Sequence, residues 1–183
     1  MSTKQQRQTH TKTYIKEALT QLLLTEHFED ISVSKITQTS GINRGTFYLH
    51  YLDKYDLMEQ LKEETIADMT AIITDTKRTP HQMIKAILDY IYQDFTFFYA
   101  ISNCHYTNFS ETIKHFLEMV IALTPKGHQY VITRYQVPAP YAVEALTASL
   151  EGVISLWINQ GGKESTQEVT DIILNISQFE HWV

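Results

Sequence analysis

Residues 31–57 read ISVSKITQTSGINRGTFYLHYLDKYDL, and the reading of this stretch settles the architecture of the chain. Ser32 is a good N-cap for a helix over residues 33–39, with Val33 and Ile36 facing inward. Gly41 can supply the left-handed residue that closes that helix. Asn43 caps a second helix from Arg44 to about His50, and Asp53 caps a third that starts near Lys54 and runs to about Asp75. Two short helices joined at a glycine turn have the layout of a helix-turn-helix, here over residues 32–51. A helix of the second one's size fits the major groove of duplex DNA.

Outward from this stretch, the apolar residues keep helical spacing. Upstream, Tyr14, Ile15, Ala18, Leu19, Leu22 and Leu23 mark one face of a helix over residues 9–27. Downstream, Thr79-Pro80 opens a helix expected to run to Tyr99, and Phe109 begins another that ends at Pro125-Lys126-Gly127. Pro138 and Pro140 mark the start of a helix to Gln160, which Gly161-Gly162 terminates, and residues 165–178 form the last. No strand pattern, repeat or low-complexity tract interrupts this, so the expected fold class is all-α with about nine helices. Domains are expected at residues 1–54 and 55–183.

Composition narrows the class further. Hydrophobic residues make up 43% of the 183, enough for a real core, and only 6 Gly and 4 Pro favour long helices. Cys104 is the single cysteine, so no internal disulfide forms. The polar N-terminus lacks a secretory pattern, and no apolar run approaches the roughly 20 residues of a membrane span. A cytoplasmic protein with no membrane partner is expected. The formal net charge of −6 argues at first against nucleic acid. Its distribution argues otherwise: residues 1–54 are net +2 and residues 55–183 net −8, with four cations and no acid in the first sixteen. Attraction to phosphate is thereby confined to one end.

In the second short helix, Ile42, Phe47 and Tyr51 should pack on the first, leaving Arg44, Thr46, Tyr48, Leu49 and His50 outward or sideways. Arg44 can reach a guanine edge or a phosphate, and Gly45 lets the backbone approach DNA. Thr46, Tyr48 and His50 can donate to phosphates. Lys54 adds a cation, and Ser32 and Ser34 stand at the start of the preceding helix. The same residues would also suit a packing corner of a helical bundle.

The segment INRGTFYLHYLDKYDL resembles the signature of TetR-family transcriptional repressors, in which an aromatic-Tyr pair is followed by a His, an aromatic and then a Lys. Phe47-Tyr48, His50, Tyr51 and Lys54 match in order and spacing. The close resemblance covers about residues 10–60. It implies DNA contacts at Ser32, Ser34, Asn43, Arg44, Gly45, Thr46, Tyr48, Leu49, His50 and Lys54. Asn43 stands where Ser is frequent, and Leu49 where a polar or aromatic side chain often reads DNA. Leu49 can still touch a thymine methyl. These departures bear on which operator sequence is read.

Residues 145–157, ALTASLEGVISLW, and the helix after them are similar to the last two helices that pair TetR-family subunits. The resemblance implies a homodimer interface at Leu146, Ser149, Leu150, Gly152, Val153, Trp157, Val169, Ile172, Ile173 and Ile176; plain monomer core is the other reading. The family's middle helices commonly enclose a small-molecule pocket. Here that suggests an aromatic lining of Tyr90, Phe95, Phe98, Tyr99, Tyr106, Phe109 and Phe116, suited to an apolar or planar effector, though rings at helical spacing also suit a core. Cys104, His105, His115 and His128 lack familiar zinc spacing, so no metal and no cofactor is expected. No catalytic constellation stands out either. The expected function is therefore a sequence-specific regulator, a ligand-responsive repressor binding a double-stranded operator as a homodimer. A coactivator on the same scaffold that binds another protein is the alternative.

Overall fold

The computed structural model describes residues 3–178, with side chains from residue 10 onward. Helix α1 (Thr3–Leu23) leads through a 3₁₀ turn (Phe28–Asp30) to α2 (Val33–Ser40) and α3 (Arg44–Tyr48). Then follow α4 (Lys54–Ile73), α5 (Pro80–Gln93), α6 (Phe95–Ser102), a second 3₁₀ turn (His105–Thr107), α7 (Phe109–Leu123), α8 (Gly127–Tyr135), α9 (Ala139–Asn159) and α10 (Thr166–Ser177). The described residues contain no strand, and the fold class is all-α.

The local signals form as read. The Ser32 hydroxyl accepts the Lys35 N–H at 3.2 Å, and the Asn43 Oδ1 accepts the Thr46 N–H at 2.8 Å. The Asp53 carboxylate takes the N–H groups of Tyr55 and Asp56. Gly41 sits at φ 70°, a left-handed conformation in which a Cβ would be strained. A reciprocal capping box, Thr79 with Gln82, opens α5, and Ser165 with Glu168 opens α10.

Four features depart from the sequence expectation. Helix α1 starts at Thr3 and stops at Leu23, four residues early, so that the extended His27 can turn Phe28 and Ile31 into the core. The helix expected over residues 80–99 is two, broken at Asp94 (φ −122°, ψ 42°). No glycine or proline marks this break, and tertiary packing makes it. Helix α5 lies along α10 and α4, whereas α6 must lie along α1 and α9, where the Phe95 ring meets Trp157 edge-on at 5.8 Å. Helix α8 was not expected either, and with the α5–α6 split the described residues hold ten α-helices where about nine were expected. Its flanking residues Lys126 and Gln136 take left-handed φ without being glycine. Its first residue, Gly127, lies where a Cβ would come 2.3 Å from the Ile121 carbonyl oxygen. Finally, α9 is long and apolar enough, by length and composition alone, to cross a membrane, although no such run was read from the sequence. Its buried face packs on α6, α7, α8 and α10, the arrangement of a core helix.

Helices α1, α2 and α3 close around Ile15, Leu19, Phe28, Ile36, Phe47 and Tyr51, each at most 2% exposed. Helix α1 also rests on α6, so the head and the larger body share one core. In the body, α4 packs on α5, α5 on α10, α10 on α9, and α9 on α7. The ring has an open seam: α4 and α7 do not pack along each other, and the Thr70 hydroxyl reaches the Met119 sulfur across it at 3.9 Å.

Candidate nucleic-acid interface and effector cavity

Burial sorts the residues of the second short helix as the sequence suggested. Phe47 and Tyr51 are buried and Ile42 half-buried, while Arg44, Gly45, Tyr48 and Leu49 are exposed. Ser32, Ser34 and Asn43 are exposed beside them, and Thr46, His50 and Lys54 are half-buried. Leu49 is 81% exposed, and so is Leu52 in the turn that follows. Leu52 was not singled out from the sequence. An apolar side chain in a polar turn with no helical face to join was the available signal.

The polar groups on this surface are already organised. The Arg44 guanidinium donates to the Tyr48 hydroxyl at 3.2 Å and lies 5.9 Å from the ring centroid. The Tyr48 hydroxyl proton remains free to donate. The Thr46 hydroxyl donates to Asn43 Oδ1 at 3.0 Å, so it can accept but has no proton to offer in this state. A Cβ on Gly45 would lie 3.3 Å from that same oxygen, so the glycine also makes room for the cap.

Lys54 is engaged within the protein. Its ammonium donates to the carbonyls of Phe28 and Glu29 at 2.7 and 2.8 Å and lies 4.8 Å from the Phe28 ring centroid. It fastens the first turn of α4 to the end of the 3₁₀ turn. The N-terminal cations are likewise engaged: Lys12 pairs with Glu64 at 2.6 Å, Lys16 with Asp94, and Lys35 with Glu26. The side chains of Lys4 and Arg7 lie outside the described residues. Such surface pairs are worth little in stability, but they reduce the charge free to meet phosphate.

Beneath the head lies a cavity of about 450 Å³, lined by α4, α5, α6, α7, α9 and α10. Four of the seven rings expected there line it: Phe98, Tyr106, Phe109 and Phe116. The other three do not. Tyr90 turns away to donate its hydroxyl to Asp68 at 3.0 Å, Phe95 packs on Trp157, and Tyr99 is 37% exposed. Most of the wall is aliphatic or Met, including Met58, Met69, Met83, Ile84 and Ile113, and the aromatic reading missed it. The apolar stripes of α4 and α5 carried that signal. Tyr106 joins the cavity to the head: its ring stacks on Phe28 at 4.6 Å and meets Tyr55, in the first turn of α4, at 5.4 Å.

On α9 and α10, Leu146, Leu150, Trp157, Val169 and Ile173 are covered by the chain's own helices, and the Trp157 indole N–H donates to the Glu164 carbonyl at 2.9 Å. They belong to the core of this chain. Ser149, Gly152 and Ile172 remain exposed and Val153 and Ile176 half-exposed, with Tyr141 and Leu156 exposed on the same helices. Cys104 is half-buried, and burial pushes its thiol pKa up, which keeps it in the weakly nucleophilic protonated form. The described residues hold no group of three or more His, Cys, Asp or Glu placed to bind a metal.

Comparison with known proteins places this geometry. A TetR family model for the transcriptional regulator C-terminal region matches residues 78–179. The HTH-type transcriptional regulator SAB2452 of Staphylococcus aureus is 33% identical over 82 residues, 43% of this chain and 44% of that protein. The chain matches less than half the length of its curated relatives. The solved TetR transcriptional regulator from Streptococcus agalactiae superposes with a TM-score of 0.65 at 19% identity, over 95% of this chain and 97% of its own. The dihydroxyacetone kinase operon activator DhaS superposes with a TM-score of 0.64 at 19% identity, over 93% and 95%. At such identities the likeness is one of fold, an N-terminal helix-turn-helix with a C-terminal helical domain. With a family model covering more than half the chain and that fold shared nearly end to end, this chain belongs to the TetR family of transcriptional regulators.

Proposed function

We propose that the chain is a sequence-specific repressor that binds a double-stranded DNA operator as a homodimer and releases it when a small molecule enters the body cavity. Residues 1–54 form the reading head and residues 55–183 the sensing and pairing domain. The observation that carries the proposal is that α4 serves both parts. Its first turn, through Lys54 and Tyr55, is fastened to Phe28 of the head, and its next turns, through Met58, wall the cavity.

The base-reading surface is the exposed set Arg44, Gly45, Tyr48 and Leu49, with Ser32, Ser34, Asn43, Thr46 and His50 around it. Arg44 supplies the donor for a guanine edge or phosphate, and Leu49 an apolar contact for a thymine methyl. Lys54 acts chiefly as a fastener. Pairing uses the surface left on α9 and α10: Ser149, Gly152, Val153, Ile172 and Ile176, extended by Tyr141 and Leu156. Two heads related by a two-fold axis would sit about 34–36 Å apart to enter successive major grooves. A ligand that spreads the α4–α7 seam shifts α4, and with it that separation.

Selection from a random duplex library with the purified chain tests this reading. A pseudo-palindromic site with half-sites about one helical turn apart is the expected outcome. Enrichment of no sequence, together with capture of a protein partner by the same surface, would replace it with the coactivator reading. A reporter gene placed behind the selected site then reads the direction of control.

A further inference from the structure

The wall of the cavity specifies a class of ligand. Its volume of about 450 Å³ has room for about fifteen non-hydrogen atoms, at the roughly 30 Å³ that a water occupies in the liquid. Its acidic and basic residues, Glu59, Lys62, Glu111 and His115, are all exposed, on α4 and α7 at the open seam. They form the mouth, with Glu59 and Lys62 4.0 Å apart. The deeper wall carries no charge.

Two of its hydroxyl groups already donate to the backbone: Thr65 to the Leu61 carbonyl at 2.8 Å, and Thr107 to those of Ile101 and Cys104 at 2.8 Å. A ligand with a charge or several polar groups along its length would leave them unpaired inside. The rings of the wall do not make a flat slot either. Phe97 and Phe98 meet edge-on at 71°, and one face of Tyr106 is taken by Phe28. Most of the remaining wall is isoleucine, leucine, methionine and valine, with Asn108, Thr112 and Ser177 the other polar residues, and methionine moulds itself around irregular flexible shapes.

Building on the effector reading above, we infer that the cavity takes a flexible, saturated hydrocarbon chain whose single polar head stays at the α4–α7 mouth. The edge-on Phe97–Phe98 pair and the Tyr106 face taken by Phe28 offer no stacking slot to a planar fused-ring ligand, and the deeper wall offers no counter-charge to an internal charge. Of the about fifteen atoms this volume holds, some space is left to the polar head and to imperfect filling, so the chain reaches about ten to twelve carbons.

Calorimetric titration of the full chain with straight-chain primary alcohols, kept below their solubility limits, tests the inference, with 2-naphthol as the planar control. The dissociation constant should tighten about fourfold for each added methylene and stop tightening near about twelve carbons, and 2-naphthol should show no saturable binding. Ile113→Trp, which fills the cavity from α7, should weaken the longest alcohols most, while Ile113→Leu keeps them; thermal melts report that both variants are folded. Affinity independent of chain length, tighter binding of 2-naphthol, or no saturable binding of any alcohol would overturn the ligand class. If the alcohols bind as expected yet leave operator affinity unchanged, the ligand class stands and the effector role falls.

Discussion

The ammonium of Lys54 meets two carbonyl oxygens from a segment about twenty-five residues away. That long-range contact shows where a sequence stops being legible. Ser32, Gly41, Asn43 and Asp53 could be assigned from the chain alone, because each acts on neighbours within three residues. The partners of Lys54 depend on how α4 meets the 3₁₀ turn, and no local pattern announces that. Hydrogen bonds to a charged group contribute about 1.5–3 kcal/mol, so Lys54→Met should lower stability by roughly that order in urea unfolding. Operator affinity, measured well below the melting temperature, should change by less than about threefold. A large loss of affinity with stability intact would restore Lys54 to the phosphate-contacting set. Tyr51 gives a second prediction at this scale. Burial, and then the negative charges of Glu64 and Asp56, push its phenol pKa up to about 12 from 10.0. The fold therefore favours the neutral phenol. The stability this gives is fully present below pH 10 and lost as pH rises toward 12. Its hydroxyl has no hydrogen-bond partner among the described protein groups. Tyr51→Phe should thus leave stability at pH 7 nearly unchanged and flatten its decline between pH 10 and 11.5, as read by urea unfolding across that range.

At the scale of elements, the periodicity of apolar residues identified every long helix but not where tertiary packing bends one. The α5–α6 break at Asp94 lacks the residues that usually mark a boundary, and α8 lies between the Pro125-Lys126-Gly127 and Pro138 marks, in a stretch where no helix was read. The aromatic richness of the middle was likewise visible, but only packing shows that Phe98, Tyr106, Phe109 and Phe116 turn toward the cavity and Tyr90, Phe95 and Tyr99 away. Among these, Tyr106 is the element link, since its ring touches both the cavity and Phe28. Tyr106→Ala should leave alcohol binding within a few fold and operator affinity without alcohol nearly unchanged. Release of the operator by the alcohol should be lost. Anisotropy titrations of labelled operator with and without saturating alcohol measure this; release at the wild-type level would exclude Tyr106 from the coupling.

For the whole molecule, charge and pairing set the terms. The body is acidic, and three described cations of the head are held in ion pairs, so non-specific attraction to duplex DNA should be weak. On the proposed reading, specific affinity comes from the exposed face around Arg44, doubled by the pairing of two chains. Gly152 has nothing within 4 Å of where a Cβ would stand, so the single chain accommodates Gly152→Arg. At a two-fold interface the same arginines would be forced together. Sedimentation should show a folded monomer, with operator affinity reduced by at least about a hundredfold; an unchanged dimer would move the interface elsewhere. The central claim, that the face around Arg44, Tyr48 and Leu49 reads sequence, meets its most direct test in one measurement. Fluorescence anisotropy at about 0.15 M salt compares the selected operator with a scrambled duplex of equal length and composition. The account predicts at least about a thousandfold preference for the operator. Equal affinities for the two duplexes would contradict it.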